Sequence, residues 1–153
     1  MRNTLLKPIS VSVAVGLILN SKQEVLISLR PHHVIQGDFW EFPGGKVNTS
    51  ETNYEALCRE LKEEIGIVVQ DASFLLEKSY NYKKQIITLS FWHILRYSGQ
   101  PKCLEGQPLR WVPKKTLHTI NFLDQNHDVI SFLQNKLFLS SVPELSTVVS
   151  KRL

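Results

Sequence analysis

Residues 45 to 67 read GKVNTSETNYEALCRELKEEIGI, and the part of that stretch from Thr52 onward has the marks of a single helix. Thr52 and Glu55 form a T-x-x-E capping box, in which the hydroxyl accepts from the backbone and the glutamate reaches back to the cap. Tyr54, Cys58, Leu61 and Ile65 recur at i, i+4, i+7 and i+11 as an apolar stripe, and Gly66 supplies the stop. Glu60, Glu63 and Glu64 stand at i, i+3 and i+4, which puts three carboxylates on one side of the helix. Like charges at this spacing repel by about 0.2–0.5 kcal/mol per pair in an exposed helix. A hard divalent cation reverses that sign, because Mg²⁺ takes carboxylate oxygens, carbonyls, water and phosphates. The triad beside the Gly44-Gly45 pair therefore reads as a metal receptor, and Arg59 next to it has the fork to hold a carboxylate in place.

Outward from this helix, Ile9 to Arg30 reads as strand, polar turn over Asn20 to Glu24, and strand, which predicts a hairpin. A polar loop, Pro31 to Asp38, follows, then Phe39 to Phe42, and Pro43-Gly44-Gly45 interrupts regular structure. Beyond the helix come β-rich stretches at 72–80 and 86–97, a short strand Leu109 to Val112, and an amphipathic helix over 124–137. Strands, helix, strands, helix predict an α/β (α+β) fold, a mixed β-sheet sandwiched between helices. Residues 1–137 are expected to form one domain and 138–153, with little periodicity, an irregular tail. With 153 residues, a second core has no room.

The composition excludes several classes of protein. Hydrophobic residues make up 42% and charged ones 21%, with 7 Gly and 7 Pro, so disordered, collagenous and low-complexity readings fail. Two cysteines, Cys58 and Cys103, make neither a disulfide framework nor a zinc site, which points to a reducing cytoplasm. Arg2 and Lys7 before Val11 to Leu19 imitate a signal peptide. The alternation of Ser10 and Ser12 with Ile9, Val11 and Val13 marks a strand instead, so a soluble, unprocessed chain is expected. No stretch approaches a membrane span. The net charge of +4 divides into −3 over residues 51–64 and +7 elsewhere. From charge alone a solvated helix face is the simpler reading of that acidic window. A basic body around it also suits a metal site that receives an anionic, phosphorylated ligand.

Gly45, five residues, Glu51, seven residues, then Arg59-Glu60-Leu61-Lys62-Glu63-Glu64-Ile65-Gly66-Ile67 matches every fixed position of the Nudix box. Nine constrained positions over 23 residues are far more specific than a lone glycine fingerprint. Within that superfamily the chain most resembles the MutT-like phosphohydrolases that act on 8-oxo-dGTP. The likeness runs through Glu41 to Lys46, Ile87-Thr88-Leu89 with Phe91-Trp92, Glu105 to Pro108 with Trp111, and Asn126, roughly residues 9 to 135.

The resemblance implies the Nudix fold and hydrolysis of 8-oxo-dGTP by attack of water on the β-phosphorus, giving the nucleoside monophosphate and pyrophosphate. It implies that Glu60, Glu63, Glu64 and Glu105 are catalytic and, with a backbone carbonyl of Gly44 or Gly45, hold Mg²⁺, with Mn²⁺ as a substitute. Glu60 and Glu105 are both candidates for the general base. Arg30, Glu41, Phe42, Pro43, Gly44 and Asn126 are the implied substrate-binding residues. The family's loop histidine falls at Ile35 here, and His32 and His33 are out of register. Glu51 is read as bracing the loop, and Phe91, Trp92 and Trp111 as core. A cytoplasmic monomer is expected, with a nucleotide as its partner and neither a membrane nor a stable nucleic-acid complex. Two other readings stand beside this one: a Nudix enzyme for another nucleoside diphosphate derivative, such as ADP-ribose or a dinucleoside polyphosphate, and a non-catalytic nucleotide-binding module.

Overall fold

A computed structural model describes residues 7–135 and 140–143. Its first sheet is mixed. β1 (Ile9–Leu17) lies between β4 (Gly44–Lys46), antiparallel to it, and β6 (Gln85–Ser98), parallel to it; β5 (Val68–Tyr82) pairs antiparallel with the far side of β6. The second sheet is antiparallel, with β2 (Glu24–Leu29) between β3 (Trp40–Glu41) and β7 (Leu109–Pro113). α1 (Asn53–Ile65) follows β4, and a 3₁₀ turn, Asp124–Asn126, leads into α2 (His127–Gln134).

The expected hairpin of β1 and β2 does not form. Both edges of β1 are taken, by β4 and β6, so after an antiparallel bridge at Leu19 and Val25 the chain passes into the other sheet. The apolar runs of β2 and of the second half of β1 are continuous because those segments are buried on two sides. Val15, Leu17, Val25 and Ile27 face one core, with Val129, Ile130 and Leu133 of α2. Ala14, Ile18 and Leu26 face the other, with Ala56, Leu57, Leu61 and Ile65 of α1. The sheets are thus sandwiched between the two helices, as the order of elements predicts.

α1 begins and ends where the sequence places it. Thr52 Oγ1 accepts from Glu55 N–H at 3.1 Å and the reciprocal bond of the capping box is present. Gly66 closes the helix at φ 72°, a left-handed conformation that favours glycine. The apolar stripe is shifted from the one expected. Tyr54 and Cys58 are half-buried at its margin, and Glu64 is buried within the inward face.

At the C-terminal end, residues 124–126 are 3₁₀ and 127–134 α-helical, and the last two residues of the expected helix, 136 and 137, lie outside the described residues. Within the segment expected to be irregular, β8 (Val142–Pro143) pairs parallel with Arg96 and Tyr97 of β6, and buried Ser141 accepts the Leu19 N–H at 3.1 Å. No described helix is long and apolar enough to cross a membrane.

Candidate active site

The carboxylates of α1 are organised by one arginine. Arg59 donates to Glu51 through Nε and Nη2, at 3.0 and 2.5 Å, and also to the Lys46 carbonyl at 2.9 Å. Its Nη1 donates to Glu60 at 2.8 Å and Glu63 at 3.2 Å. Glu51 also accepts from Asn48 N–H at 2.8 Å; these bonds hold its carboxyl down at a pKa of about 2. Glu51 therefore braces the loop that enters the helix, as read from the sequence, and Arg59 ties that loop to the carboxylates above it.

Glu64 is placed differently from its neighbours. It is 6% exposed, whereas the Glu63 side chain is 53% exposed and that of Glu60 19%. Its Oε2 accepts from Gly44 N–H at 3.1 Å. Its Oε1 lies 3.4 Å from Ser28 Oγ, whose shorter bond, 2.9 Å, goes to Gln107 Oε1. Burial, followed by the nearby charges of Glu41, Glu105 and Glu60, pushes the Glu64 carboxyl up to about 8, against the pull of the Gly44 N–H. Carboxylates from β3, α1 and the β6–β7 loop thus lie near enough to Glu64 to raise its carboxyl. Glu105 arrives there because its loop is bonded to the end of α1, with Lys102 N–H on the Ile65 carbonyl at 2.9 Å and Leu104 N–H on that of Glu64 at 3.2 Å.

Gly45 is the close-approach position. A Cβ there would lie 2.2 Å from the carboxyl carbon of Glu60, so glycine lets that carboxylate rest against the strand. Gly45→Ala is expected to push Glu60 off Arg59 and lower kcat about 10–100-fold, the usual cost of disturbing the support of a metal ligand. Steady-state rates with circular dichroism on the same sample check this; a normal rate in a folded variant would remove Glu60 from the machinery.

Among the described residues, no three His, Cys, Asp or Glu side chains are gathered tightly enough to hold an ion as they stand. Arg59 holds oxygens of Glu60 and Glu63, and Glu105 is exposed. The donor set nevertheless fits a hard divalent cation, because every side chain is a carboxylate and their mutual repulsion, felt at Glu64, is what such a charge relieves.

Beside this cluster opens a cavity of about 270 Å³. β1 and β6 supply an apolar floor, Val13, Val15, Ile87 and Leu89, and Gly44 lies on the wall, so the cavity meets the acidic cluster at the residue that bonds Glu64. Arg30, Glu41, Phe42 and Asn126 of the expected set line it. Pro43 does not: it is buried and its carbonyl accepts the Gly16 N–H at 2.8 Å. Asn126, 5% exposed, sits at the junction of the 3₁₀ turn and α2 without capping the helix.

Arg30 donates to Glu41 at 3.1 Å and to the carbonyls of Ile35 and Gln36 at 2.8 and 3.2 Å, so it fastens the 31–38 loop over the cavity. Burial raises the Glu41 carboxyl, with Arg30 opposing. His32 pairs with Asp38 at 2.5 Å. Sequence reasoning missed Ser28, Tyr80 and Gln125. A serine inside the apolar run Val25 to Leu29 is the one signal that marked any of them.

Residues 14–131 match the model of the NUDIX domain family. The chain is 38% identical over 122 residues to an Escherichia coli K12 protein named 8-oxo-dGTP diphosphatase, covering 80% of this chain and 95% of that one. It is 34% identical over 97 residues to an E. coli K12 CTP pyrophosphohydrolase, covering 63% and 72%. Among solved structures, one from a study of MutT from Aliivibrio salmonicida and Vibrio cholerae superposes with a TM-score of 0.73 at 33% identity, over 84% of this chain and 99% of that one. With residues 14–131 matched by that family model, and the box of residues 45–67 containing a capped acidic helix beside the cavity, the chain belongs to the Nudix family.

Proposed function

We propose that this enzyme hydrolyses 8-oxo-dGTP to 8-oxo-dGMP and pyrophosphate, clearing an oxidised purine from the nucleotide pool of the cytoplasm. The observation that carries the reading is Asn126, a buried amide on a cavity that is also lined by Gly44, whose N–H bonds Glu64 of the carboxylate cluster. The 8-oxo-dGTP diphosphatase relative, matched over nearly its whole length, supports it.

Nudix hydrolases need a divalent metal, and Mg²⁺, with Mn²⁺ as its substitute, suits the oxygen donors Glu60, Glu63, Glu64, Glu105 and a backbone carbonyl of Gly44 or Gly45. When bound, the cation supplies neutralisation of phosphate charge and a lowered pKa for the attacking water. The chain's own residues do the rest. With the base in the cavity, the triphosphate would run past Gly44 toward the cluster. Glu105 is the proposed acceptor of the water proton: Glu60 is held by Arg59 and pressed on Gly45, whereas Glu105 stands exposed on a loop anchored beside Glu64. Attack of the water oxygen on the β-phosphorus expels the nucleoside monophosphate.

In ¹⁸O-labelled water the label is therefore expected in pyrophosphate and not in 8-oxo-dGMP, which mass spectrometry reads directly. Label in the monophosphate would place attack at the α-phosphorus. A substrate panel with pyrophosphate detection separates 8-oxo-dGTP from dGTP, CTP and ADP-ribose. Preferred turnover of CTP, the substrate in the name of the second relative, would overturn the assignment of the base while leaving the chemistry in place.

A further inference from the structure

The cavity contains a polar side chain, unused in the reading above, whose oxygen has no partner among the described residues. Gln125 precedes Asn126 in the 3₁₀ turn Asp124–Asn126 and lines the same cavity. Its Oε1 is shut off from solvent and has no hydrogen-bond partner among the described residues. Buried amide oxygens are nearly always paired, and one left without a donor is costly enough to call for an explanation.

The base proposed for this cavity supplies a donor of the right kind. Asn126 is assigned to N7–H and O6 of 8-oxoguanine. The edge next to O6 carries N1–H and the 2-amino group, two donors that point the same way, and an acceptor is what that edge requires. Gln125 is adjacent to Asn126 in sequence, has one methylene more of reach, lines the same cavity and has an oxygen that lacks a donor.

We infer that Gln125 is a second specificity residue, whose Oε1 accepts from the 2-amino group of a guanine-type base. The inference rests on the nucleotide reading of the cavity. The two neighbouring amides then divide the recognition: Asn126 senses oxidation at position 8 through N7–H, and Gln125 senses the amino group at position 2. A purine without that amino group leaves Gln125 Oε1 without its donor, and a site built around a hydrogen bond rejects the analogue that lacks it.

The test is the dissociation constant of 8-oxo-dGMP and of 8-oxo-dIMP, which lacks the 2-amino group, measured by calorimetry with Mg²⁺ present. The proteins are the wild type, Gln125→Met, which keeps length without the acceptor, and Gln125→Glu, which keeps an acceptor. The wild type is expected to bind 8-oxo-dGMP about tenfold or more tighter than 8-oxo-dIMP. In Gln125→Met the two should agree within about twofold, through weakened binding of 8-oxo-dGMP, and Gln125→Glu should restore the preference. An unchanged ratio in Gln125→Met, or an equal weakening of both nucleotides, overturns the inference while leaving the cavity's assignment intact. A wild type that binds neither nucleotide overturns the assignment itself, and this inference with it.

Discussion

Replacing Glu64 with glutamine is expected to lower kcat by about 10³-fold or more while making the metal-free protein more stable at neutral pH. The two effects share one cause. Glu64 is buried among Glu41, Glu60 and Glu105, an environment that suits a ligand to a divalent cation and penalises a lone carboxylate. Glutamine keeps the shape and an oxygen that can accept from Gly44 N–H, but it brings no charge.

The pH dependence follows from the direction of the shift. The folded-state pKa, about 8, stands above the ordinary glutamate value of 4.5, so the native state holds this proton more tightly than the unfolded chain does. Below the unfolded value the group is protonated in both states and costs nothing. As pH rises from about 4.5 to about 8 the wild type progressively loses stability relative to the variant, and above that the difference is constant. With about 1–3 kcal/mol at stake after relaxation, the metal-free variant should melt roughly 3–10 °C higher at pH 8 than the wild type. The gap should close toward pH 5. Melting curves in chelator across that range, alongside rates in Mg²⁺, make the check; near-normal turnover by Glu64→Gln would remove Glu64 from the metal site.

The burial of Glu64 also shows where sequence reading reaches its limit. Spacing at i, i+3 and i+4 places Glu60, Glu63 and Glu64 on one side of α1, and both helix caps are legible because their partners are three to five residues away. Which carboxylate crosses into the core is decided by distant segments, Ser28 on β2 and the loop at Leu104 that bonds the Glu64 carbonyl. The misread hairpin has the same origin. Strand, turn and strand are local properties of Ile9 to Arg30, whereas the pairing of β1 is set by Gly44–Lys46 and Gln85–Ser98. β8 has two residues and no period to read. Asn126 was found through the resemblance, since a single asparagine before a helix carries no pattern of its own, and Gln125 was found only through its unpaired oxygen.

Asn126→Ala is expected to abolish most of the preference for 8-oxo-dGTP over dGTP. Oxidation turns guanine N7 from an acceptor into an N–H donor and leaves O6 an acceptor. One orientation of the asparagine amide satisfies both, with Oδ1 accepting from N7–H and Nδ2 donating to O6. Unoxidised guanine sets its N7 lone pair against Oδ1, and rotating the amide spoils the bond to O6 instead. Each group left unsatisfied costs about 1–3 kcal/mol, at the upper end here because Asn126 is 5% exposed on a cavity that screens it little. Two such groups support discrimination on the order of 10⁴. Alanine removes the bonds and the clash together, so KM for 8-oxo-dGTP should rise strongly, KM for dGTP little, and the ratio of their kcat/KM values should fall by about 10² or more. The effect on kcat should be smaller, because the chemistry is proposed for the carboxylate cluster, which the cavity meets at Gly44, and not for Asn126. The Asn126 N–H bonds the Leu123 carbonyl at 3.0 Å, a backbone contact that alanine can keep, so the turn that presents the residue is expected to persist. An unchanged ratio, or a wild type that takes dGTP equally well, would sever Asn126 from base recognition and direct the search to another nucleotide.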